Sequence, residues 1–408
     1  MTPLGRTAHR ARTTHPGRTA HRGRTSPTGR PGPAAGGRLT TAVRAGVLLA
    51  VLSLTACAAT PSARPVSVAV PQPVPPTAAA VSGTASPSGP ATPEPVARPS
   101  AACVESVRPM SPLPPPGSMP AHSTMAEIQQ RGYLIAGVDQ DSYAFGFRNP
   151  APSPAKGQAF EGFDIDILHA IAQAIFGDPD DIMFVPVNQD YRVGAAHQGV
   201  VDVVSDSITI TCGPGGRKSQ ADFSADYFDA QQKLLVPRGS TASVTLDKDG
   251  VAHVVGLRGQ KVCTVGTTTS IKNISALQQQ GGFHIVLAGN WSDCLVMLQQ
   301  GQVQAVTTDN TILGGMVAED PYLRIAGQPF SFEPHGLAFP QNASGSSGNT
   351  QFVGFVNAVL ARLESSSSTG YCPASRQPGT SCWLALYQKW IEPQLGPPSG
   401  QPVPEYAP

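Results

Sequence analysis

The stretch Gly162-Phe163-Asp164-Ile165-Asp166-Ile167-Leu168-His169-Ala170-Ile171-Ala172-Gln173-Ala174-Ile175 sets the reading of the whole chain. Ile167, Ile171 and Ile175 fall on one stripe at helical spacing, with Leu168 and Ala172 beside it. Asp164 and Asp166 suit the positive end of that helix, which ends near Gly177-Asp178-Pro179. Before it, Ser123 to Arg131 reads as a helix leading into the apolar strand Tyr133 to Val138, which ends at Asp139. A buried strand that delivers a carboxylate to its C-terminal end is how open α/β sheets build sites. After it, strands are expected at Ile182 to Val187, Val200 to Val204, Lys233 to Val236, Lys261 to Val265 and His284 to Leu287, with helical patterns between. The fold class is therefore α/β.

The stretch from Asp247 to Ala326 reads as a second, smaller α/β unit. From Gly336 onward a helical pattern resumes, with Phe352, Phe355, Val356, Val359 and Leu360 on one face, and Trp383 to Trp390 forms a last apolar helix. This order predicts a discontinuous lobe, 103–236 with 333–408, and an inserted lobe, 237–332. The crossings are expected near Val236-Pro237-Arg238 and Phe332 to Gly336.

Toward the N-terminus, residues 57–102 are Pro, Ala, Ser, Thr and Val with little charge. Such a segment cannot bury enough surface to offset the entropy of ordering and reads as a flexible linker. Residues 1–56 read as a signal peptide with an over-long basic start, in which Gly-Arg-Thr-Ala-His-Arg occurs at Gly5 and again at Gly17. That excess suggests a start codon placed too early. The apolar run closes on Leu54-Thr55-Ala56-Cys57, a lipoprotein processing pattern that assigns Cys57 to lipidation. The run is too short for a spanning helix, which needs about 20 apolar residues.

The chain holds 28 Lys and Arg against 27 Asp and Glu, but nine arginines and no acid precede Val47. The remainder therefore carries about eight more negative than positive charges. That balance argues against nucleic acid, whose phosphates are met by Lys and Arg, and an anionic ligand would need a local cation. Six cysteines follow Cys57, an even set that outside the cytoplasm favours disulfides. Cys372 and Cys382 bracket a Pro/Gly-rich loop, so a local bridge is the simplest pairing. The other four are not fixed by sequence: Cys263 with Cys294 and Cys103 with Cys212 are favoured over a free thiol. No CxxC or HExxH spacing supports a metal site, and no cofactor is expected.

The helix signature resembles the amino-acid-binding, family 3 extracellular solute-binding proteins of ABC importers, most closely the glutamate/glutamine-type lipoproteins of actinobacteria. Gly137-Val138-Asp139-Gln140-Asp141, Asp222-Phe223-Ser224, Gly266-Thr267-Thr268, Asp309-Asn310 and Glu333-Pro334-His335-Gly336 follow in the family's order, and the resemblance covers about Ser123 to Trp390. It implies a two-lobed, type II periplasmic-binding-protein-like fold with a two-strand hinge. It also implies a monomer that presents a free amino acid to a membrane permease and, through it, to an ATPase. Arg217 stands where the family's α-carboxylate-binding arginine stands, and guanidinium offers the bidentate fork a carboxylate fits. Cys212-Gly213-Pro214-Gly215-Gly216 lengthens the loop before it relative to the family pattern, so Arg217 reaches the cleft if the glycines bulge outward. Asp309 matches the ammonium-binding aspartate. Ser207, Thr209, Thr267 and Thr268 match positions that hydrogen-bond the ligand backbone. Asp139, Tyr143, Phe145, Arg148 and Arg192 are candidates for reading the ligand side chain, with glutamate, aspartate and their amides favoured.

The same architecture hosts dehydratase-type enzymes, but no histidine here has an identifiable catalytic partner and no Gly-x-Ser-x-Gly elbow is present. The chain is read as a non-enzyme. An amino-acid sensor acting on a membrane partner would share the same site, and only that partner would distinguish the two.

Overall fold

The computed structural model describes residues 96–151, 159–341, 348–367 and 370–407. Cys57, the leader and the linker up to residue 95 lie outside the described residues. Among the described residues no helix is long and apolar enough to cross a membrane.

Two five-stranded sheets form the frame, and they are built alike. In the first, Leu134–Val138 sits between the parallel strands Ile182–Pro186 and Val203–Ser205, and Ala338–Phe339 and Asp222–Phe223 extend it antiparallel. In the second, Lys261–Val265 sits between the parallel strands His284–Ala288 and Ala305–Asp309. Phe228–Pro237 and Leu323–His335 extend that sheet antiparallel. The expected first crossing at Val236 to Arg238 is therefore too late. Phe228, Ala230, Gln232 and Leu234 are buried in alternation along one long strand that already belongs to the second sheet. Phe228, Ala230 and His335 still pack in the first lobe's core, so the chain crosses between the lobes along Phe228–Pro237 and Leu323–His335, two neighbouring strands that carry the hinge.

The signature helix runs Phe163–Phe176 and ends on Gly177 in the left-handed region. Its stripe is fully buried with Phe145, Phe352, Phe355 and Trp383 in the first lobe's core, and each large apolar side chain so buried contributes about 1.5–3 kcal/mol. Gly162, at φ 135°, is required: a Cβ there would stand 2.1 Å from the Phe145 carbonyl oxygen. The two aspartates do more than face a helix dipole. Asp164 Oδ2 accepts from the Ser207 N–H at 2.8 Å and Oδ1 from the Tyr227 hydroxyl at 2.7 Å. Asp166 accepts from Tyr371 Oη, Lys389 Nζ and Trp390 Nε1, tying the C-terminal helix Cys382–Trp390 to the signature.

The second sheet is packed on both faces. Val236, Val244, Val262 and Ile274 form one cluster, and Val265, Trp291, Leu295 and Leu313 the other. The cysteines pair as Cys103–Cys212, Cys263–Cys294 and Cys372–Cys382. The second of these staples the strand Lys261–Val265 of the inserted lobe to the helix Trp291–Gln299.

Candidate functional site

The segments that follow Ile182–Pro186 and Val203–Ser205 in the first sheet and Lys261–Val265 in the second line one cavity of about 600 Å³, with Gln189, Thr209, Arg217, Thr268, Lys272 and Glu333 among its walls.

From the first lobe comes the segment after Val203–Ser205. Ser207 adopts φ 44°, outside the usual L-residue range, with its N–H held by Asp164. The segment then pairs with the end of the hinge strand: Ile210 N–H donates to the Pro334 carbonyl at 2.8 Å, and Gly336 N–H to the Ile208 carbonyl at 3.0 Å. The Gly-rich insertion folds into an exposed turn, with Gly213 and Gly215 at φ 79° and 76°. Cys212, Pro214, Gly215 and Gly216 themselves line the cavity, and beside them Arg217 enters its wall with 9% of its surface exposed. Its Nη1 donates to the Thr209 carbonyl at 2.9 Å, and its own N–H donates to Thr211 Oγ1. Burial, then the neighbouring charge of Arg192, lowers its pKa to about 9, against the pull of Glu333, Asp309 and Asp206. It remains a cation at neutral pH.

From the inserted lobe comes the N-terminus of the helix Thr269–Gly281. Thr267 is held at φ 59°, and the Thr268 hydroxyl donates to the Val265 carbonyl at 2.7 Å. No side chain caps the helix, so its first amide groups and the positive end of its dipole face the cavity. Lys272 and Asn273 follow one turn later on the same face. Thr209 and Thr269 Oγ1 atoms meet at 3.3 Å, joining the two lobes across the cavity.

The hinge strand supplies the acid. Glu333 is 2% exposed, and its Oε1 accepts from Asn273 Nδ2 at 2.7 Å and Ser331 Oγ at 2.5 Å. Its Oε2 is buried with no close partner, and the Thr209 and Thr269 hydroxyls stand near the carboxylate. Burial and the nearby Asp309 raise its pKa. Asp309, at the end of its strand, pairs through Oδ2 with His335 Nε2 at 2.9 Å, while Oδ1 is likewise buried and unpartnered. Two buried carboxylates thus stand near one guanidinium, which suits a ligand that brings both an ammonium and a carboxylate.

Arg217, Thr209, Thr267 and Thr268 therefore line the cavity, and Asp309 and Ser207 stand behind it. Other candidates are placed elsewhere. Phe145 is fully buried against Phe163, Phe228 and His335, a core ring and not a cleft wall. Arg192 is 4% exposed, with Nη1 bound to the Asp206 carbonyl and to its carboxylate at 3.2 Å. Asp139 accepts from the N–H groups of Gln140 and Asp141, from Ser142 Oγ and from Gln189 Nε2, so its oxygens are spent on its own turn. Burial, then Asp206, pushes its pKa well up. Tyr143 packs on Phe147 with ring centroids 4.8 Å apart, and Arg148 is exposed on the small sheet Asp141–Ser142, Gly146–Arg148 and Phe160–Glu161. Glu333, Lys272, Asn273 and Gln189 are site residues that the sequence reading missed. Glu333 lay in a string read as a chain crossing and as a family motif, without a role at the site.

Among the described residues no group of three or more His, Cys, Asp or Glu could hold a metal ion. Residues 134–370 match the model of the bacterial extracellular solute-binding proteins, family 3. The chain is 31% identical over 270 residues to the glutamine-binding protein GlnH of an ABC transporter of Bacillus subtilis strain 168, covering 66% of this chain and 85% of that protein. It is 34% identical over 215 residues to a glutamine-binding protein of Geobacillus stearothermophilus, covering 53% of this chain and 75% of that one. A mutant of the T. maritima protein ArgBP superposes with a TM-score of 0.50 at 26% identity over 66% of this chain and 99% of its own. A Brucella ovis periplasmic binding protein with glutathione bound, at TM-score 0.51 and 24% identity over 59% of this chain and 71% of its own, shares the fold. With the two-lobed frame, the hinge and the cleft in place, the chain belongs to the bacterial extracellular solute-binding proteins, family 3, and is a binding protein of the two-lobed type II fold, not an enzyme.

Proposed function

We propose that the chain is the extracytoplasmic substrate-binding component of an ABC importer for polar amino acids, glutamate, glutamine, aspartate or asparagine, lipid-anchored through Cys57 and acting as a monomer. The observation that carries this reading is the charge arrangement of the cavity. Arg217 and an uncapped helix N-terminus offer a carboxylate its partners, while Glu333 on the cavity wall, with Asp309 behind it, offers negative charge to an ammonium. Lys272 supplies a donor for a side chain that ends in a carboxylate or amide, and Gln189 keeps its Oε1 open as an acceptor for an amide. Names of relatives in Bacillus subtilis and Geobacillus stearothermophilus point the same way. The ligand binds the first lobe at Arg217, and the inserted lobe closes over it on the two hinge strands. Closure follows only from higher affinity for the closed form.

Isothermal titration calorimetry, after unfolding and refolding to strip carried-over ligand, tests the reading. One-to-one binding of glutamate, glutamine, aspartate or asparagine is expected, with a dissociation constant of micromolar or below. Silence across these four and a wider amino-acid panel would overturn it.

A further inference from the structure

The cavity has a wall that lies outside the family match. Residues Ala97, Pro99 and Cys103 line it, although the match begins only at residue 134. This segment is fastened at both ends. On the inserted lobe, Val96 N–H donates to the Gly250 carbonyl at 3.0 Å, and Val96 packs against that lobe's core. In mid-course Arg98 pairs with Asp229 on one hinge strand and lies 5.7 Å over the Phe332 ring on the other. On the first lobe, the short helix Ala101–Val104 brings Cys103 to its disulfide with Cys212, with Cα atoms 5.5 Å apart. Lys218 Nζ, on the residue after Arg217, donates to the Cys103 carbonyl at 3.2 Å and to the Glu105 carbonyl at 2.7 Å.

We propose that segment 96–105 is a built wall of the ligand site, and that Cys103, Cys212 and Lys218 are positioning residues that hold Arg217 in place and set the rate at which ligand leaves. This rests on the amino-acid-binding reading only for the identity of the ligand. The physical case starts at the Gly-rich turn. Gly213 and Gly215 both sit in the left-handed region, where glycine gains its freedom, so a loop containing them would cost entropy to order around a ligand. The disulfide closes that loop against a segment which itself spans the hinge, so ordering precedes binding. A ligand held between lobes leaves when they part, and a segment attached to both lobes opposes that motion without touching the ligand's charged ends.

The test uses the full-length chain with Cys103→Ser and Cys212→Ser combined. Lys218→Met and Arg98→Ala serve as milder variants that keep the disulfide, and the pair Cys372→Ser, Cys382→Ser is a control remote from the cavity. Stopped-flow tryptophan fluorescence with L-glutamine and L-glutamate reads association and dissociation separately. Loss of the Cys103–Cys212 bridge is expected to raise the dissociation rate about tenfold with the association rate changed less than about threefold. Lys218→Met and Arg98→Ala should move it in the same direction by less, and the control pair should leave it unchanged. A second readout needs no ligand: modification of Arg217 by phenylglyoxal, followed by peptide mass spectrometry, should run several-fold faster without the bridge. An unchanged Arg217 reactivity in the double variant overturns the wall, as does an unchanged dissociation rate in a protein that binds either amino acid. Faster Arg217 modification in a chain that binds neither amino acid would uphold the wall and sink the ligand assignment instead.

Discussion

Arg192 and Arg217 are both buried arginines of the first lobe, at 4% and 9% exposure, and they do different jobs. Arg192 spends its guanidinium on Asp206, in an ion pair of two side chains that are almost wholly enclosed. Arg217 is steadied by a main-chain carbonyl and, among the described residues, forms no ion pair with a carboxylate. Its charge faces the cavity, and Glu333 and Asp309 act on it from nearby. A buried cation becomes a binding group when the fold holds it in position without neutralising it. Neither residue type nor burial separates the two roles; the partner does.

The largest effect expected is on the structural side. Arg192→Ala leaves Asp206 buried without its cation, and breaking such a pair costs about 3–5 kcal/mol. Chemical denaturation should show that loss, while the fraction still folded binds ligand within about threefold of the parent affinity. A large affinity loss with intact stability would reverse the two roles. Arg217→Ala should do the opposite: affinity falls by about 2–5 kcal/mol as a charge-assisted pair is lost. Stability of the free protein should hold or rise, because a desolvated cation has been removed. Calorimetry and thermal melting on one preparation decide it.

A carboxylate near the hinge offers a pH test of intermediate size. Asp226, just before the first hinge strand, is pushed up to about 7 by burial and then by Asp229. Below about pH 4 both folded and unfolded chains hold that proton, and as pH climbs toward 7 the unfolded chain ionises first. Folded stability therefore falls across that window. Asp226→Asn keeps the neutral form, so it should flatten the decline and add roughly 1–3 kcal/mol at pH 8, read from denaturation at several pH values. An unchanged slope would assign the decline to other groups, such as Glu364, raised to about 8. The smallest effect is expected at Glu333. Its carboxyl is raised by burial and Asp309, so the ligand's ammonium finds it partly protonated in mild acid and affinity rises as it ionises. Glu333→Gln should weaken binding about tenfold at neutral pH and remove that acid limb. Retention of the limb would show that Glu333 does not carry it.

Much of the frame was readable because the period of apolar residues carries it. The stripe Ile167, Ile171, Ile175 produces the helix where expected, and the strands around it follow within a residue or two. The long hinge strand was only half read. Its first half alternates Phe228, Ala230 and Gln232 with Asp229 and Gln231, a half-buried pattern that looks like a loop when only continuous apolar runs are sought. Residue order along the chain sufficed to place Arg217 on the cavity wall. The site was not legible where a charge is consumed by a residue distant in sequence. Asp139 meets Gln189 and Arg192 meets Asp206 only after the sheet is built, so both looked available. Glu333 failed for the opposite reason: its neighbours Asn273 and Asp309 arrive from two other elements of the inserted lobe.

Asp164 has a consequence for genetics. One carboxylate holds both the Ser207 amide, which shapes the segment leading to Arg217, and the Tyr227 hydroxyl at the root of the first hinge strand. A screen for uptake-deficient alleles would recover changes at this position alongside true recognition residues. Dose-response curves alone would assign them to specificity. Such alleles should instead lose response to every substrate in equal proportion, because the defect lies in the frame and not in the chemistry of any one ligand.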